Sequence, residues 1–206
     1  MMRFVVLLVL LSIGCQTTAP RTGERAPSLD GPREGEYQAM LERYTRHAEI
    51  YQGFDTRMFI AVTYQSWAFR QARILRRQAF QGQSDAEVAT WTRDEKAESE
   101  SEYAFLVGAH FNENVHDDLD RPKSIWRISL SANGEEVLPL QVERISRASI
   151  QLKTFYPYLD EFWVAYRLRF ARLRPDGSPV FTGNPASLNL HFASVLGKVE
   201  LTYPAE

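Results

Sequence analysis

Apolar and polar positions divide the chain into stretches of different period. Residues 4–11 are unbroken apolar, behind Met1-Met2-Arg3 and ahead of Ser12-Ile13-Gly14-Cys15. From Gln16 to Arg33 apolar residues almost vanish, while Pro20, Gly23, Pro27, Gly31 and Pro32 appear. Such a segment cannot bury enough surface to order itself and reads as a linker. Between Glu34 and Tyr51, Tyr37, Met40, Leu41, Tyr44, Ala48 and Tyr51 recur at helical spacing. That stripe predicts an amphipathic helix with Gly53 as its cap. A second helix is predicted over 67–81, with Phe69, Ala72, Leu75, Ala79 and Phe80 toward the core and Gly82 as its stop. Ser84-Asp85-Ala86-Glu87 is a capping box that starts a third, running to about Ser101.

The other segments alternate with period two. Met58, Ile60, Val62 and Tyr64 share one face of a strand over 57–65, and Tyr103 to Phe111 alternates likewise. Ser124–Leu130 and Val137–Ile145 flank Asn133-Gly134, a dipeptide favoured in tight turns, although the gap between these segments exceeds two residues. Pro139 makes the second segment an edge strand or a bulge, because proline has no N–H for a ladder. Ala148–Thr154 is a further short candidate. Over Glu161–Leu173, Phe162, Val164, Tyr166, Leu168 and Phe170 point one way and Trp163, Arg167 and Arg169 the other. Pro175-Asp176-Gly177 is a turn, and strands over 187–193 and 198–203 follow. The expected fold is mainly β with helices (α+β). It is an antiparallel, immunoglobulin-like β-sandwich of seven to eight strands, with an N-terminal helix and a helical hairpin inserted at about 67–101. The expected organisation is a signal peptide over 1–14, a linker over 15–33 and a single domain over 34–206.

Composition narrows the function classes. The chain has 206 residues, 44% of them hydrophobic and 12% aromatic, enough for one domain with a real core. Net charge is −2, which gives no basic footprint for nucleic acid. Cys15 is the only cysteine, so the domain can hold neither a disulfide nor a thiolate metal site and depends on packing. No cofactor is implied.

Cys15 gives the N-terminal stretch its meaning. The apolar run of about ten residues is half of what a membrane-spanning helix needs, and it follows a basic start, as in a secretory signal peptide. Ser12-Ile13-Gly14-Cys15 resembles the lipobox of bacterial lipoproteins, in which a small residue precedes the cysteine that becomes the lipidated first residue of the mature chain. Here Ser12 stands where the family has leucine, and Leu11 lies one position earlier. The resemblance implies a membrane anchor on Cys15. Gln16, which is not the aspartate of inner-membrane retention, implies the outer membrane, facing the periplasm or the exterior. The alternative is cleavage after Thr17-Thr18-Ala19, which leaves a soluble periplasmic protein. In overall layout the remainder is similar to uncharacterised lipoproteins of Gram-negative bacteria, a likeness that implies no activity.

Candidate chemistry is sparse. His110, Glu113 and His116, in a stretch that continues to Asp120, are residue types that bind zinc, but their spacing matches neither an HExxH helix nor an EF-hand loop. A polar connection between strands explains the same residues. No G-x-S-x-G elbow is present, and His47 and His191 read as surface or core residues. Arg70, Arg73, Arg76 and Arg77 line one helix and offer an anion-binding face (Arg70, Arg73 and Arg77 above all). The next helix is expected to carry Asp94, Glu95, Glu98, Glu100 and Glu102, which predicts mutual salt bridges instead. Trp163, opposite the apolar face of its strand, is a candidate for stacking on a sugar. The sequence therefore points to a lipid-anchored envelope protein, a non-enzymatic binding or structural module of the outer membrane that binds a protein, glycan or lipid partner. A metal-dependent hydrolase using the His110–Asp120 loop is the alternative.

Overall fold

The computed structural model describes residues 34–205. The signal peptide, the lipobox with Cys15 and the linker lie outside the described residues. The chain runs α1 (Glu34–Tyr44), β1 (Thr45–Gln52), β2 (Asp55–Tyr64), α2 (Trp67–Gln81), α3 (Asp85–Ser101), β3 (Glu102–Phe111), β4 (Arg127–Ala132), β5 (Glu135–Val137), β6 (Gln141–Ile145), α4 (Ile150–Phe155), β7 (Val164–Ala171), β8 (Ser187–Ser194) and β9 (Gly197–Pro204), with one turn of 3-10 helix over Asn114–His116. Two antiparallel sheets result, ordered β1-β2-β3-β7-β6 and β5-β4-β8-β9. The fold is the expected α+β sandwich, with nine strands among the described residues where the pattern counts seven or eight.

The core lies between the sheets. Met58, Ile60, Val62, Phe105, Val107, Tyr166, Leu168 and Phe170 of the first sheet are buried with Leu130, Leu188, Leu190, Phe192, Leu201 and Tyr203 of the second. Tyr203 stacks near Phe105, with centroids 5.4 Å apart, and its hydroxyl donates to the Val62 carbonyl at 3.0 Å. β2 and β3 are hydrogen-bonded neighbours, so α2 and α3 form an insertion in what is otherwise a hairpin. Both helices occupy the expected ranges. Ser66 accepts from the Phe69 N–H, Ser84 and Glu87 complete the capping box, and Gly82 closes α2 in a left-handed conformation.

Four local expectations need correction. The first helix stops at Tyr44, and Thr45–Gln52 is a strand. Its eight residues pair with β2, and Gly53, at φ 64°, forms a two-residue hairpin turn with Phe54 where a helix cap was expected. Ladder bonds to β2 override a helical period that Ala48 and Tyr51 happen to continue. The expected strand over 148–154 is helix α4. Ser149 caps it by accepting from the Leu152 N–H. Asn133-Gly134 is a two-residue turn after all, because Ala132 pairs directly with Glu135 and both turn residues have positive φ. The segment over 137–145 breaks at Pro139. β5 ends one sheet, β6 ends the other, and the chain crosses between them where proline forbids pairing.

Candidate functional site

A cleft of about 480 Å³ opens between the helical hairpin, the outer face of the first sheet and α4. Helical spacing builds its charged side. Arg70, Arg73 and Arg77 fall at i, i+3 and i+7 of α2, and Trp91, Glu95 and Glu98 fall at i, i+4 and i+7 of α3, each set on one helix face. Ile74 and Arg77 of α2 and Trp91 of α3 form one wall. Ala104 and Leu106 of β3 lie beneath, Leu152, Phe155 and Tyr156 come from α4 and the residue after it, and Arg167 of β7 completes the rim.

The two helices face each other through ion pairs, as the opposite charges predict. Arg70 is 2% exposed and fully bonded. Its Nε donates to the Gln65 carbonyl at 2.9 Å, and its terminal nitrogens donate to Glu95 at 2.6 Å and Glu98 at 3.0 Å. Arg73 donates to the other Glu95 oxygen at 2.5 Å, to Gln65 Oε1 at 3.1 Å and to the Tyr156 hydroxyl at 3.2 Å. Tyr156 itself donates to Gln65 Oε1 at 2.8 Å. The floor is thus a closed hydrogen-bond network that joins β2, both helices and α4. Arg70 and Arg73 are consequently not available as a free anion-binding face. Arg77 is different. Its guanidinium lies 3.8 Å from the Trp91 ring centroid, and its Nε donates to Gln81. Its two terminal nitrogens have no acceptor among the described residues. Arg167 meets Glu143 only at 3.8 Å, with about half of its side chain exposed.

Two neighbouring carboxyls, Glu98 at the cleft and Glu102 beside it, have their pKa moved in opposite directions. Burial works against the ionised form of Glu98, but the bond and charge of Arg70 outweigh it and hold the carboxyl below its ordinary pKa. Glu102 lies beside it, 8% exposed. Burial pushes its pKa up, and the neighbouring Glu98 adds to this against the opposing bond from Arg169. Arg76, on the same helix, turns away from the cleft. It is 4% exposed, bonds Glu34 at 2.7 Å and lies 4.3 Å from the Tyr37 ring centroid, which docks α1. Two arginines therefore occupy positions on the buried side of α2, while Phe80, expected in the core, is 41% exposed.

The other candidate residues serve structure. The proposed metal ligands do not converge. His110 Nδ1 faces the Phe162 carbonyl at 3.0 Å, Glu113 pairs with Arg57 at 2.8 Å, and the His116 carbonyl accepts from Trp126 Nε1. Among the described residues no group of three His, Cys, Asp or Glu side chains is placed to hold a metal ion. The reason lies in the rest of the loop. Asp117 is bound by Arg144 at 2.5 Å and by the Tyr166 hydroxyl, and Asp118 accepts from Ser124 and from the Ile125 N–H, so the loop is fastened by its carboxylates. Trp163 is half-buried, packs against the core and lies 6.5 Å from the Tyr158 ring. Its neighbour Phe162 is the exposed ring, at 75%.

No protein family and no curated protein matches the sequence. Among solved structures, the chain is similar to a novel protein of unknown function from Burkholderia pseudomallei. The two are 9% identical, the match covers 83% of each chain, and the TM-score is 0.45.

Proposed function

We propose that this chain is a lipid-anchored protein of the bacterial outer membrane and that the cleft beneath its helical hairpin binds a small anionic ligand with a flat apolar part. The observation that carries the binding reading is Arg77, stacked on Trp91 with both terminal nitrogens lacking a protein acceptor among the described residues, at the wall of a cleft lined by Leu152 and Phe155. A guanidinium is recognised bidentately by a carboxylate or phosphate, and the Trp91 face beside it supplies apolar contact. The anchor reading rests on Cys15 and its preceding small residues. Two or three acyl chains there would hold the protein firmly, since each buried methylene contributes about 0.8 kcal/mol. No helix among the described residues is long and apolar enough to cross a membrane.

Binding is tested by titrating full-length protein with phenyl phosphate, benzoate and inorganic phosphate while following tryptophan fluorescence. The expected result is a saturable change with the two aromatic anions. It should weaken at least tenfold in Arg77→Gln and disappear in Trp91→Phe. If neither aromatic anion produces a saturable signal, the cleft reading is wrong. The anchor has a separate test: wild type should incorporate labelled palmitate and Cys15→Ala should not. Absence of label in wild type refutes the anchor and leaves the cleft untouched.

A further inference from the structure

The outward face of the second sheet brings together side chains that the cleft does not involve. Ser131 of β4, His191 of β8 and Glu200 of β9 come from three adjacent strands, and the ladder register places them. Ser129 pairs with His191 and His191 with Glu200, so Ser131 lies diagonal to the imidazole. Alternation puts Leu130, Leu190 and Leu201 in the core and these three on the other side. Ser131 Oγ lies 2.7 Å from His191 Nε2, and Glu200 Oε2 lies 3.6 Å from His191 Nδ1. His191 is 30% exposed and Glu200 58%, so a reagent in solution can reach the group.

We propose that Ser131 is a nucleophile, with His191 as its general base and Glu200 as the group that orients the imidazole, and that it accepts acyl groups from small, unhindered carboxylic esters. The order of contacts is the one that nucleophilic serine chemistry requires: hydroxyl to one ring nitrogen, carboxylate toward the other. With Nδ1–H directed at Glu200, Nε2 is the basic nitrogen. The Nδ1 to Glu200 separation exceeds a hydrogen bond, as is common before substrate is bound. A donor for the developing oxyanion is also on this face. Asn189 sits directly opposite Ser131 in the ladder, its Oδ1 accepts from the Thr202 hydroxyl at 2.9 Å, and its Nδ2 is assigned the role of that donor.

The step balances with water alone. Ser131 Oγ attacks the ester carbonyl carbon as its proton passes to His191 Nε2. The C–O bond to the leaving group breaks, and the alkoxide takes that proton and departs as the alcohol. Water then attacks the acyl-serine, giving its proton to Nε2, and the carboxylic acid leaves as the hydroxyl is restored. The face is open, so selection is by reach and not by enclosure.

The test treats full-length protein with a fluorophosphonate probe and maps the modified serines by mass spectrometry. The expected result is labelling of Ser131 at least tenfold faster than of exposed serines such as Ser101, with His191→Gln slowing it by about a hundredfold or more, the range for general-base assistance. Glu200→Gln should slow it less. Ser131→Ala should abolish hydrolysis of p-nitrophenyl acetate above background while leaving the fluorescence response of the cleft unchanged. Labelling of Ser131 no faster than of Ser101 overturns the proposal. So does labelling that His191→Gln leaves unaltered in a variant with the wild-type circular dichroism spectrum. The serine comparison is made within wild-type protein, so it decides the question even where a variant fails to fold.

Discussion

Removing the Arg70 guanidinium tests the account of the cleft floor. In Arg70→Ala, the Gln65 carbonyl loses its 2.9 Å donor, and Glu95 and Glu98 lose bonds of 2.6 and 3.0 Å. Breaking a buried ion pair by removing one partner costs about 3–5 kcal/mol when the remaining charge stays dry. Here the acids are partly wet, with Glu95 27% and Glu98 46% exposed, and Glu95 keeps Arg73 at 2.5 Å. Water can therefore restore part of the loss at both carboxylates, although not at the Gln65 carbonyl, whose unpaired state costs about 1–3 kcal/mol. The expected destabilisation is about 3 kcal/mol, or roughly 6–12 °C in Tm for a domain of this size. Urea unfolding followed by far-ultraviolet circular dichroism measures it. Arg93→Ala serves as the control, since its pair with Asp94 lies in water at 75% and 63% exposure and should matter by no more than about 0.5 kcal/mol. A loss below about 1 kcal/mol in Arg70→Ala, or one no larger than that of Arg93→Ala, would refute the account of Arg70 as a principal fastening of the hairpin to the sheet.

Two further predictions concern packing and pH. A Cβ on Gly108 would lie 2.8 Å from a Leu159 methyl and 2.9 Å from the Tyr158 ring, so Gly108→Ala should cost about 1–3 kcal/mol by overpacking, read by the same urea titration; an unchanged midpoint would mean that the segment over 156–163 is free to move away. Burial raises the phenol pKa of Tyr37, Tyr158, Tyr166 and Tyr203 above the ordinary value. A group whose pKa is raised on folding contributes stability that is full below its unfolded value and lost as pH rises past it. Stability should therefore fall above about pH 10, by up to about 1.4 kcal/mol per pH unit per group. Titration at 295 nm should show these four of the nine tyrosines ionising only with unfolding; smooth titration of all nine in folded protein would contradict it.

Local chemistry explains most of what was legible in the chain. α2 and α3 were readable because apolar spacing, the Gly82 stop and the Ser84–Glu87 box all act within a few residues of sequence. The charge complementarity of the two helices was readable for the same reason, since arginines and glutamates at helical spacing form stripes wherever the helices lie. The buried side of α2 was not, because an apolar count cannot show that Arg70 and Arg76 will be covered once Glu95, Glu98 and Glu34 meet them. Lone arginines would be too costly to bury, and partners from other elements reverse that.

What the sequence determines by itself is therefore short-range: the ranges of α2 and α3, the alternation of β2, β3 and β7, a turn signal at Asn133-Gly134 and a pairing defect at Pro139 whose outcomes the ladders then set. Tertiary structure decides the rest. Thr45–Gln52 is a strand only because β2 offers a ladder, and 150–155 is a helix against its expected period. Tyr156 reaches Gln65 across 91 positions, and Ser131 reaches His191 across 60. Contacts at that separation are set by strand order and register, which no local pattern encodes; chain packing must first bring the strands side by side before either group has a partner.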